Sequence, residues 1–239
     1  MPDRRRVLVA VDGPSGSGKS SVSREVARRS GLAYLDTGAM YRAACWAALR
    51  DGVDVTDPVA AAVVARAVTL DLSTDPDHER VAVDGVDVTA GPDGIRGERV
   101  TSAVSAFAAH PGVREELRAR QRDVMDAAPD GCIAEGRDIT TVVAPDADVR
   151  VLLTADADAR VERRRAQVVE SGSGDAVEVV DVRAGVVGRD AADSRVTSFL
   201  SAADGVVTLD SSALTFEQTV QAVLRLVREV QRAPEGVRR

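Results

Sequence analysis

The sequence is poor in several residue types, and each shortage argues against a class of function. Its 239 residues include one tryptophan, two tyrosines and three phenylalanines, so few aromatic rings are present to stack on the bases of a single-stranded nucleic acid. The formal net charge of -7 also opposes a nucleic-acid surface, which needs an excess of positive charge. Two histidines, His78 and His110, argue against a histidine-based catalytic triad or a multi-histidine metal site. We therefore expect no nucleic-acid partner.

The chain also lacks long hydrophobic runs and has only two cysteines. The longest apolar run, residues 59–65, is far shorter than the roughly 20 residues that cross a bilayer. Cys45 and Cys132 are too few and too far apart for a disulfide framework, which indicates free thiols in a reducing compartment. Residues 1–6, MPDRRR, lead into the first predicted strand without an apolar leader segment. These features predict a cytoplasmic protein with no membrane segment.

The most informative stretch of the sequence is residues 6–20, RVLVAVDGPSGSGKS. An apolar run at residues 6–11 predicts a buried strand, and residues 13–20 match G-x-x-x-x-G-K-[ST] at every fixed position. The glycines in this stretch allow backbone N–H groups to converge on phosphate oxygens at the start of a helix. The sequence therefore predicts a polyphosphate-binding loop made of Gly13, Pro14, Ser15, Gly16, Ser17, Gly18, Lys19 and Ser20.

Lysine is nearly absent from the chain. Lys19 is the only lysine among the 31 Lys and Arg residues. A compact ammonium on a flexible stem suits this loop, whereas a planar guanidinium would collide with its backbone. We expect Lys19 to contact the β- and γ-phosphates as a catalytic residue, and the Ser20 hydroxyl to ligate Mg²⁺.

The remaining sequence predicts helices and strands that alternate around this loop. Hydrophobic patterns predict five core strands at residues 6–11, 32–35, 132–134, 148–154 and 205–209. Core helices are expected at residues 20–30, 37–50, 156–170 and 215–230. Gly31 should end the first of these helices, and Asp36 or Thr37 should cap the second. The pattern is typical of an α/β fold with a parallel sheet flanked by helices.

Two further segments interrupt the predicted core. Residues 57–125 contain helical patterns at 57–66, 97–107 and 111–125 and three short strands with a hairpin signal at Asp84–Gly85, which indicates a small antiparallel insert. Residues 171–196 begin with a flexible Ser-Gly-Ser-Gly break and continue into a predicted helix and a dense charged cluster, which is typical of a mobile lid. The core is then assigned to residues 1–56, 126–170 and 197–239.

Several charged residues outside the loop are candidates for the site. Glu135 follows the third core strand, where a carboxylate can hold Mg²⁺ directly or through water, and Arg137 beside it can reach a phosphate. Tyr41 and Arg42 fall in the first turn of the second helix, on a face that can look back at the loop. Arg42 suits a second phosphate, with a solvated helix arginine as the alternative.

Arg160 and Arg164 share one face of the helix at residues 156–170. Their side chains can reach the nucleotide that binds the loop. The alternative is a solvated charged face, which is the usual role of such a run.

Five stretches of the sequence, in this order, closely resemble bacterial cytidylate kinases: DGPSGSGKSS, LDTGAMYRA, VTSAVSAFAAHPGVREELRARQR, EGRDITTVVAPDA and RDAADSR. The likeness extends from about residue 7 to residue 211. It implies a P-loop NTPase fold with a nucleoside-monophosphate-binding insert and a helical lid. It also implies transfer of the γ-phosphate of ATP to CMP or dCMP with Mg²⁺, by a cytoplasmic and usually monomeric enzyme.

The resemblance implies roles for individual residues. The ATP phosphates and the metal would be held by Gly16, Gly18, Lys19, Ser20 and Ser21, and either serine could supply the metal hydroxyl. The CMP phosphate would be bound by Arg42, Arg137 and Arg195, and the cytosine would be read by Ser105, Arg114 and Asp138. Arg189 and Asp193 would face the ribose and the transferring group. We expect Thr37 and Tyr41 to complete the CMP site, and Arg137, Arg189 and Arg195 to act in catalysis with Lys19.

The sequence departs from the family pattern at three places. The first is the phosphate loop, which ends in Lys19-Ser20 where some members have Lys-Gly-Thr. Thr140 stands where the family pattern GRDxGT has glycine, which affects the backbone after Asp138. The lid motif is one residue shorter between Ser194 and Arg195, which leaves open whether Arg195 reaches the CMP phosphate.

Three other functions share some of these sequence features. A kinase for another nucleoside monophosphate or for a sugar acid would share the loop, the fold and the lid. A non-enzymatic P-loop GTPase switch would need the guanine-reading motif N-K-x-D, and the chain has no second lysine. An arginine-rich nucleic-acid binder is disfavoured by the net charge and the scarce aromatics.

Overall fold

The computed structural model describes residues 5–170 and 201–232, and a five-stranded parallel sheet lies at its centre. The strand order is β2-β6-β1-β7-β8, and each neighbouring pair is parallel. The strands are β1 (Val7–Asp12), β2 (Ala33–Asp36), β6 (Gly131–Gly136), β7 (Val149–Thr154) and β8 (Val207–Asp210). This sheet confirms the predicted α/β fold class. The predicted lid, residues 171–196, lies outside the described residues.

Seven α-helices are present in the described part of the chain. They are α1 (Lys19–Ser30), α2 (Thr37–Arg50), α3 (Pro58–Ala67), α4 (Glu98–Ala108), α5 (Pro111–Ala127), α6 (Ala157–Glu170) and α7 (Phe216–Arg232). Their ends follow the predicted signals: Gly31 ends α1 in the left-handed conformation, and the Asp36 carboxylate accepts from the Ala39 N–H at the start of α2. No helix of these residues is long and apolar enough to cross a membrane.

The central strand β1 is buried on both faces of the sheet. Val7, Val9 and Val11 point toward α1 and α7, where Val26 and Val223 complete one hydrophobic cluster. Alternate residues of β1 and β6 point to the other face, in a second cluster with residues of α2 and α5. Burial on both faces explains why this strand is a continuous apolar run in the sequence.

The insert contains a second, antiparallel sheet with the order β3-β4-β5. Its strands are β3 (Leu70–Leu72), β4 (Val81–Val83) and β5 (Val86–Asp87). Asp84 and Gly85 take positive φ angles of 49° and 82° in the connecting turn, so the predicted hairpin is confirmed. Helices α3, α4 and α5 share one hydrophobic cluster with this sheet and with α2.

The segment after β6 differs from what the sequence pattern suggests. Residues Ile139–Val143 form one turn of π-helix, a form that propensity does not predict. The buried Asp12 carboxylate at the end of β1 accepts from the Ile139 N–H at 2.8 Å and from the Thr140 N–H at 2.8 Å. The Thr140 hydroxyl donates to the same carboxylate at 2.6 Å.

The threonine at position 140 therefore fits the backbone that follows Asp138. Asp84 is the only non-glycine residue in the described ranges with a positive φ, so position 140 does not require glycine. Burial raises the pKa of Asp12, and the three donors at residues 139 and 140 act against that rise. Thr140 thus ties the turn after β6 to the end of β1.

We predict that Thr140→Val will lower the free energy of unfolding by about 1–3 kcal/mol, because it removes a donor from a buried carboxylate while nearly conserving volume. Chemical denaturation monitored by circular dichroism measures this difference. Thr141→Val, at the exposed neighbouring position, is the matched control and should change stability little. Equal stability of the two variants would show that the Thr140 hydroxyl does not hold this turn.

Candidate functional site

The predicted phosphate loop connects β1 to α1, and its glycines are required by close contacts. A Cβ atom on Gly13 would lie 2.2 Å from the Leu153 carbonyl oxygen, which no side chain can tolerate. Gly16 has a φ of 77°, and its Cβ would lie 2.8 Å from the Arg160 carbonyl oxygen. The loop is therefore packed tightly between β7 and α6, and it presents the start of α1 to the solvent.

Helix α6 braces this loop through arginine side chains. Arg160 Nη1 donates to the Ser15 carbonyl at 3.1 Å, and Arg163 Nη1 donates to the Ser17 carbonyl at 3.2 Å. Arg163 also binds both the hydroxyl and the carbonyl of Ser211, after β8. Arg163 belongs to the arginine run of this helix and lies three residues after Arg160, but only Arg160 and Arg164 were assigned to the site from the sequence. Arg164 lies in α6, and its side chain is outside the described part of the structure.

Lys19, Ser20 and Glu135 meet at the mouth of the loop. The Ser20 hydroxyl donates to Glu135 Oε1 at 2.7 Å, and Lys19 Nζ lies 3.8 Å from Glu135 Oε2. Glu135 is 3% exposed, and the hydroxyl of Tyr34 lies 3.4 Å from its Oε1. Burial raises the pKa of Glu135, the charge of Asp36 raises it further, and Lys19 lowers it.

This cluster has the chemistry of a Mg²⁺ site. Among residues 5–170 and 201–232, no group of three or more His, Cys, Asp and Glu residues could hold a metal ion. Mg²⁺ usually needs only one or two protein oxygens, because water and substrate phosphates supply the others. The Ser20 hydroxyl and the Glu135 carboxylate fit that requirement. Ser21 is exposed, so the geometry favours Ser20 as the hydroxyl ligand.

A cavity of about 280 Å³ opens beside Lys19, between the core and the insert. It brings together eleven of the predicted site residues: Ser15, Lys19, Ser20, Thr37, Tyr41, Arg42, Ser105, Arg114, Glu135, Arg137 and Asp138. Asp36 and Arg96 also line it, and sequence reasoning did not assign them to the site. The predicted residues Arg189, Asp193 and Arg195 lie outside the described residues.

Two predicted arginines line the cavity. Arg137 Nη1 donates to the Gly13 carbonyl at 2.5 Å, which links the end of β6 to the loop. Arg42 Nη1 donates to the Ile95 carbonyl at 3.2 Å and to the Thr101 hydroxyl at 3.0 Å. These contacts hold both guanidinium groups at the cavity wall, where they can attract an anion.

A second group of charged residues in the cavity surrounds Asp138. Arg114 Nη2 donates to Asp138 Oδ2 at 2.8 Å, and Arg118 donates to the same oxygen from Nε at 3.0 Å and from Nη2 at 2.6 Å. The Arg114 guanidinium lies over the Tyr41 ring, 5.9 Å from its centroid. Burial raises the pKa of Tyr41 to about 12, so its hydroxyl stays protonated. Arg118 was not a predicted site residue, although it follows Arg114 by one helical turn.

Thr37 lines the cavity and also joins two elements of the fold. Its hydroxyl donates to the Glu135 carbonyl at 2.8 Å, and the residue is 3% exposed. Thr37 therefore joins the start of α2 to the end of β6. Its assignment to the CMP site stays a prediction.

Comparison with known proteins places the chain in a family. A sequence model of the family described as Cytidylate kinase matches residues 9–229. The protein named Cytidylate kinase from Streptomyces avermitilis is 47% identical over 224 residues, which cover 93% of each chain. The Rhodococcus jostii protein of the same name is 49% identical over 225 residues, covering 94% of this chain and 96% of that one. A solved shikimate kinase from Bacteroides thetaiotaomicron aligns with a TM-score of 0.48 at 12% identity, covering 93% of this chain and 98% of that one.

We predict that Glu135→Gln will raise the melting temperature of the ligand-free protein by about 2–4 °C, because it removes a buried charge while keeping the acceptor for Ser20. Because the pKa of Glu135 is raised in the folded protein, the folded state favours the protonated acid. The free energy of unfolding of the wild type, relative to that of the variant, should therefore fall as the pH rises above the usual pKa range of glutamate.

Calorimetric melts at several pH values measure this difference. Glu162→Gln, at an exposed position of α6, is the control and should melt like the wild type. A Glu135→Gln protein that melts well below the wild type at neutral pH would show that the carboxylate stabilises the fold.

Proposed function

The chain belongs to the cytidylate kinase family, and we propose that it transfers the γ-phosphate of ATP to CMP or dCMP, forming ADP and CDP or dCDP. The observation that carries this proposal is the single cavity that connects the lysine of the phosphate loop to the Arg114–Asp138 pair. A phosphate acceptor bound there would have its phosphate near the loop and its base near Asp138. This orientation is the one that phosphoryl transfer requires.

We propose that the phosphate loop, from Gly13 to Ser21, binds the ATP phosphates. Its backbone N–H groups at the start of α1 attract phosphate oxygens, and the macrodipole of the helix adds to this attraction. Arg160 supports the binding by holding the Ser15 carbonyl. Arg164 is proposed to contact ATP on the basis of its shared helix face with Arg160.

The CMP phosphate is proposed to bind Arg42 and Arg137. Both guanidinium groups line the cavity, and Arg137 is attached directly to the phosphate loop. They would bring the acceptor phosphate close to the γ-phosphate and offset the repulsion between the two anions. Arg189, Asp193 and Arg195 are proposed to complete the closed site, on the resemblance of their motif.

Cytosine has features that fit the part of the cavity around Asp138. Its exocyclic amino group is a donor that the Asp138 carboxylate can accept, and its carbonyl and ring nitrogen can accept from Arg114 and Ser105. Uracil has a carbonyl in place of the amino group and would face the carboxylate with another acceptor. The pair at residues 114 and 138 therefore favours cytosine over uracil.

Mg²⁺ is proposed to bind at Ser20 and Glu135, where it would neutralise charge on the transferring phosphoryl group. The side chains of the protein position the substrates and supply positive charge. Lys19 lines the cavity beside Ser20 and Glu135. It is proposed to contact phosphate oxygens whose charge changes in the transition state. Phosphoryl transfer needs little more than this positioning and charge stabilisation.

We further propose that the protein acts in the cytoplasm as a monomer. Its two cysteines are buried free thiols, which suits a reducing compartment. The monomeric state is proposed on the resemblance of the sequence to bacterial cytidylate kinases. The residue ranges 57–125 and 171–196 are proposed as the CMP-binding insert and the lid.

A coupled assay of ADP formation tests the function directly. The purified protein is supplied with ATP, Mg²⁺ and, in turn, CMP, dCMP, UMP, AMP, GMP or a sugar acid. The proposal predicts the highest kcat/KM with CMP or dCMP. A higher kcat/KM with another acceptor would assign the chain to a different small-molecule kinase, and nucleotide binding without turnover of any acceptor would favour a non-enzymatic switch.

We predict that Lys19→Ala and Lys19→Arg will each lower kcat about a thousandfold, because the ammonium stabilises charge that moves in the transition state and a guanidinium does not fit the loop. Steady-state kinetics with circular dichroism measure activity and folding together. Arg28→Ala, which removes an exposed cation of α1 outside the cavity, should keep wild-type turnover. Normal turnover in Lys19→Ala would exclude the lysine from the mechanism.

We predict that Asp138→Asn and Asp138→Ala will both raise KM for CMP and reduce the ratio of kcat/KM for CMP to that for UMP by about 10- to 100-fold. In the asparagine variant the arginines should retain the amide oxygen, which turns the NH₂ group toward the base and favours the uracil carbonyl. KM for ATP should change little.

Asp146→Asn changes an exposed aspartate beyond the turn after β6 and is the matched control, which should keep the wild-type ratio. If Asp138→Ala keeps the full preference for CMP, the base is read by other residues.

A further inference from the structure

Arg118 makes a contact to which the proposed reaction assigns no role. It lies on α5, one helical turn after Arg114, and donates to Asp138 Oδ2 through Nε at 3.0 Å and through Nη2 at 2.6 Å. Two N–H groups of a planar guanidinium on one oxygen restrict the carboxylate more than one flexible donor could. The Arg118 side chain is 23% exposed and that of Asp138 is 7% exposed, so solvent screens this pair only partly.

The two oxygens of Asp138 have different surroundings. All three hydrogen bonds to the carboxylate, from Arg114 and Arg118, end on Oδ2. No residue in the described part of the chain donates a hydrogen bond to Oδ1, although Asp138 is buried and lines the cavity. One oxygen is therefore held by the protein, and the other is available to a ligand in the cavity.

Arg118 and Arg114 differ in their access to that ligand. Arg114 lines the cavity, and its Nη1 also donates to the Ala108 carbonyl at 3.2 Å. Arg118 is not among the residues that line the cavity. A base that drew a donor of Arg114 toward itself would weaken the bond from Arg114 to Asp138. Arg118 then remains as the group that fixes Oδ2.

We propose that Arg118 is a positioning residue that holds Asp138 with Oδ1 directed at the base, and that it thereby sets the preference for cytosine over uracil. This inference rests on the proposed function. A fixed Oδ1 accepts from the amino group of cytosine and repels the carbonyl of uracil, which is also an acceptor. A carboxylate that can rotate moves away from the uracil carbonyl, so the repulsion that excludes UMP is lost.

The test compares Arg118→Leu, Arg118→Lys and a matched control, Arg122→Leu. Arg122 follows Arg118 by one turn of α5 and donates to the carbonyls of Val142 and Val143, in the turn after Asp138, without touching Asp138 itself. It therefore supports the same segment. Loss of that support alone would affect both leucine variants equally.

We expect Arg118→Leu to reduce the ratio of kcat/KM for CMP to that for UMP about tenfold, through a higher KM for CMP and a lower one for UMP. Arg118→Lys keeps the charge but loses the planar fork, so its ratio should fall between those of the wild type and Arg118→Leu. KM for ATP should stay unchanged in both variants, and Arg122→Leu should keep the wild-type ratio. Thermal melts establish that each variant is folded.

Calorimetric binding of CMP and UMP without ATP provides a second readout that does not depend on turnover. The inference is overturned if the wild type prefers CMP and both Arg118 variants keep that preference within about twofold, or if Arg122→Leu loses it equally. The proposed function fails separately, and the inference with it, if the wild type neither binds nor phosphorylates CMP.

Discussion

The site depends on the parallel pairing of β1 with β6 on one side and β7 on the other. The register places Val11 opposite Glu135 and Asp12 opposite Gly136, so the carboxyl ends of these strands finish at one edge of the sheet. Ligands bind at this edge in open parallel sheets, because the connecting loops diverge there. The phosphate loop, the Glu135 carboxylate and the turn that carries Asp138 meet for this reason. A shift of the register by one residue would turn Glu135 to the other face.

Three buried carboxylates near this edge have distinct partners. Asp12 accepts from the turn at residues 139 and 140, Glu135 from Ser20, and Asp138 from Arg114 and Arg118. A buried charge is tolerated only when such partners compensate it, so each carboxylate depends on the local structure that surrounds it. Asp12 maintains the turn, whereas Glu135 and Asp138 each line the cavity. This edge of the sheet thus carries both a carboxylate that stabilises the fold and carboxylates that line the cavity.

Features encoded by neighbouring residues could be predicted from the sequence. The phosphate loop, the Asp36 cap of α2 and the Asp84–Gly85 hairpin each follow from local patterns, and the structure confirms all three. The parallel sheet flanked by helices was also predicted from these patterns, whereas the order of its strands was not.

Features that depend on distant contacts could not be predicted in this way. The π-helical turn at Ile139–Val143 is held by Asp12, which lies 127 residues from Ile139 along the chain. Arg163 binds Ser211, which follows β8, and Arg118 of α5 binds Asp138, which lies 20 residues further along the chain. Helical spacing put both arginines on suitable faces, but only the folded chain shows which carbonyl or carboxylate each one meets.

The most direct test of the proposed site is the distance between the cytosine amino nitrogen and Asp138 Oδ1 in a crystal structure of the protein with CMP. We predict a distance of about 2.7–3.2 Å, with Arg118 still bound to Oδ2 and the CMP phosphate beside Arg42 and Arg137. A cytosine bound without contact to Asp138 would contradict the proposed role of this carboxylate.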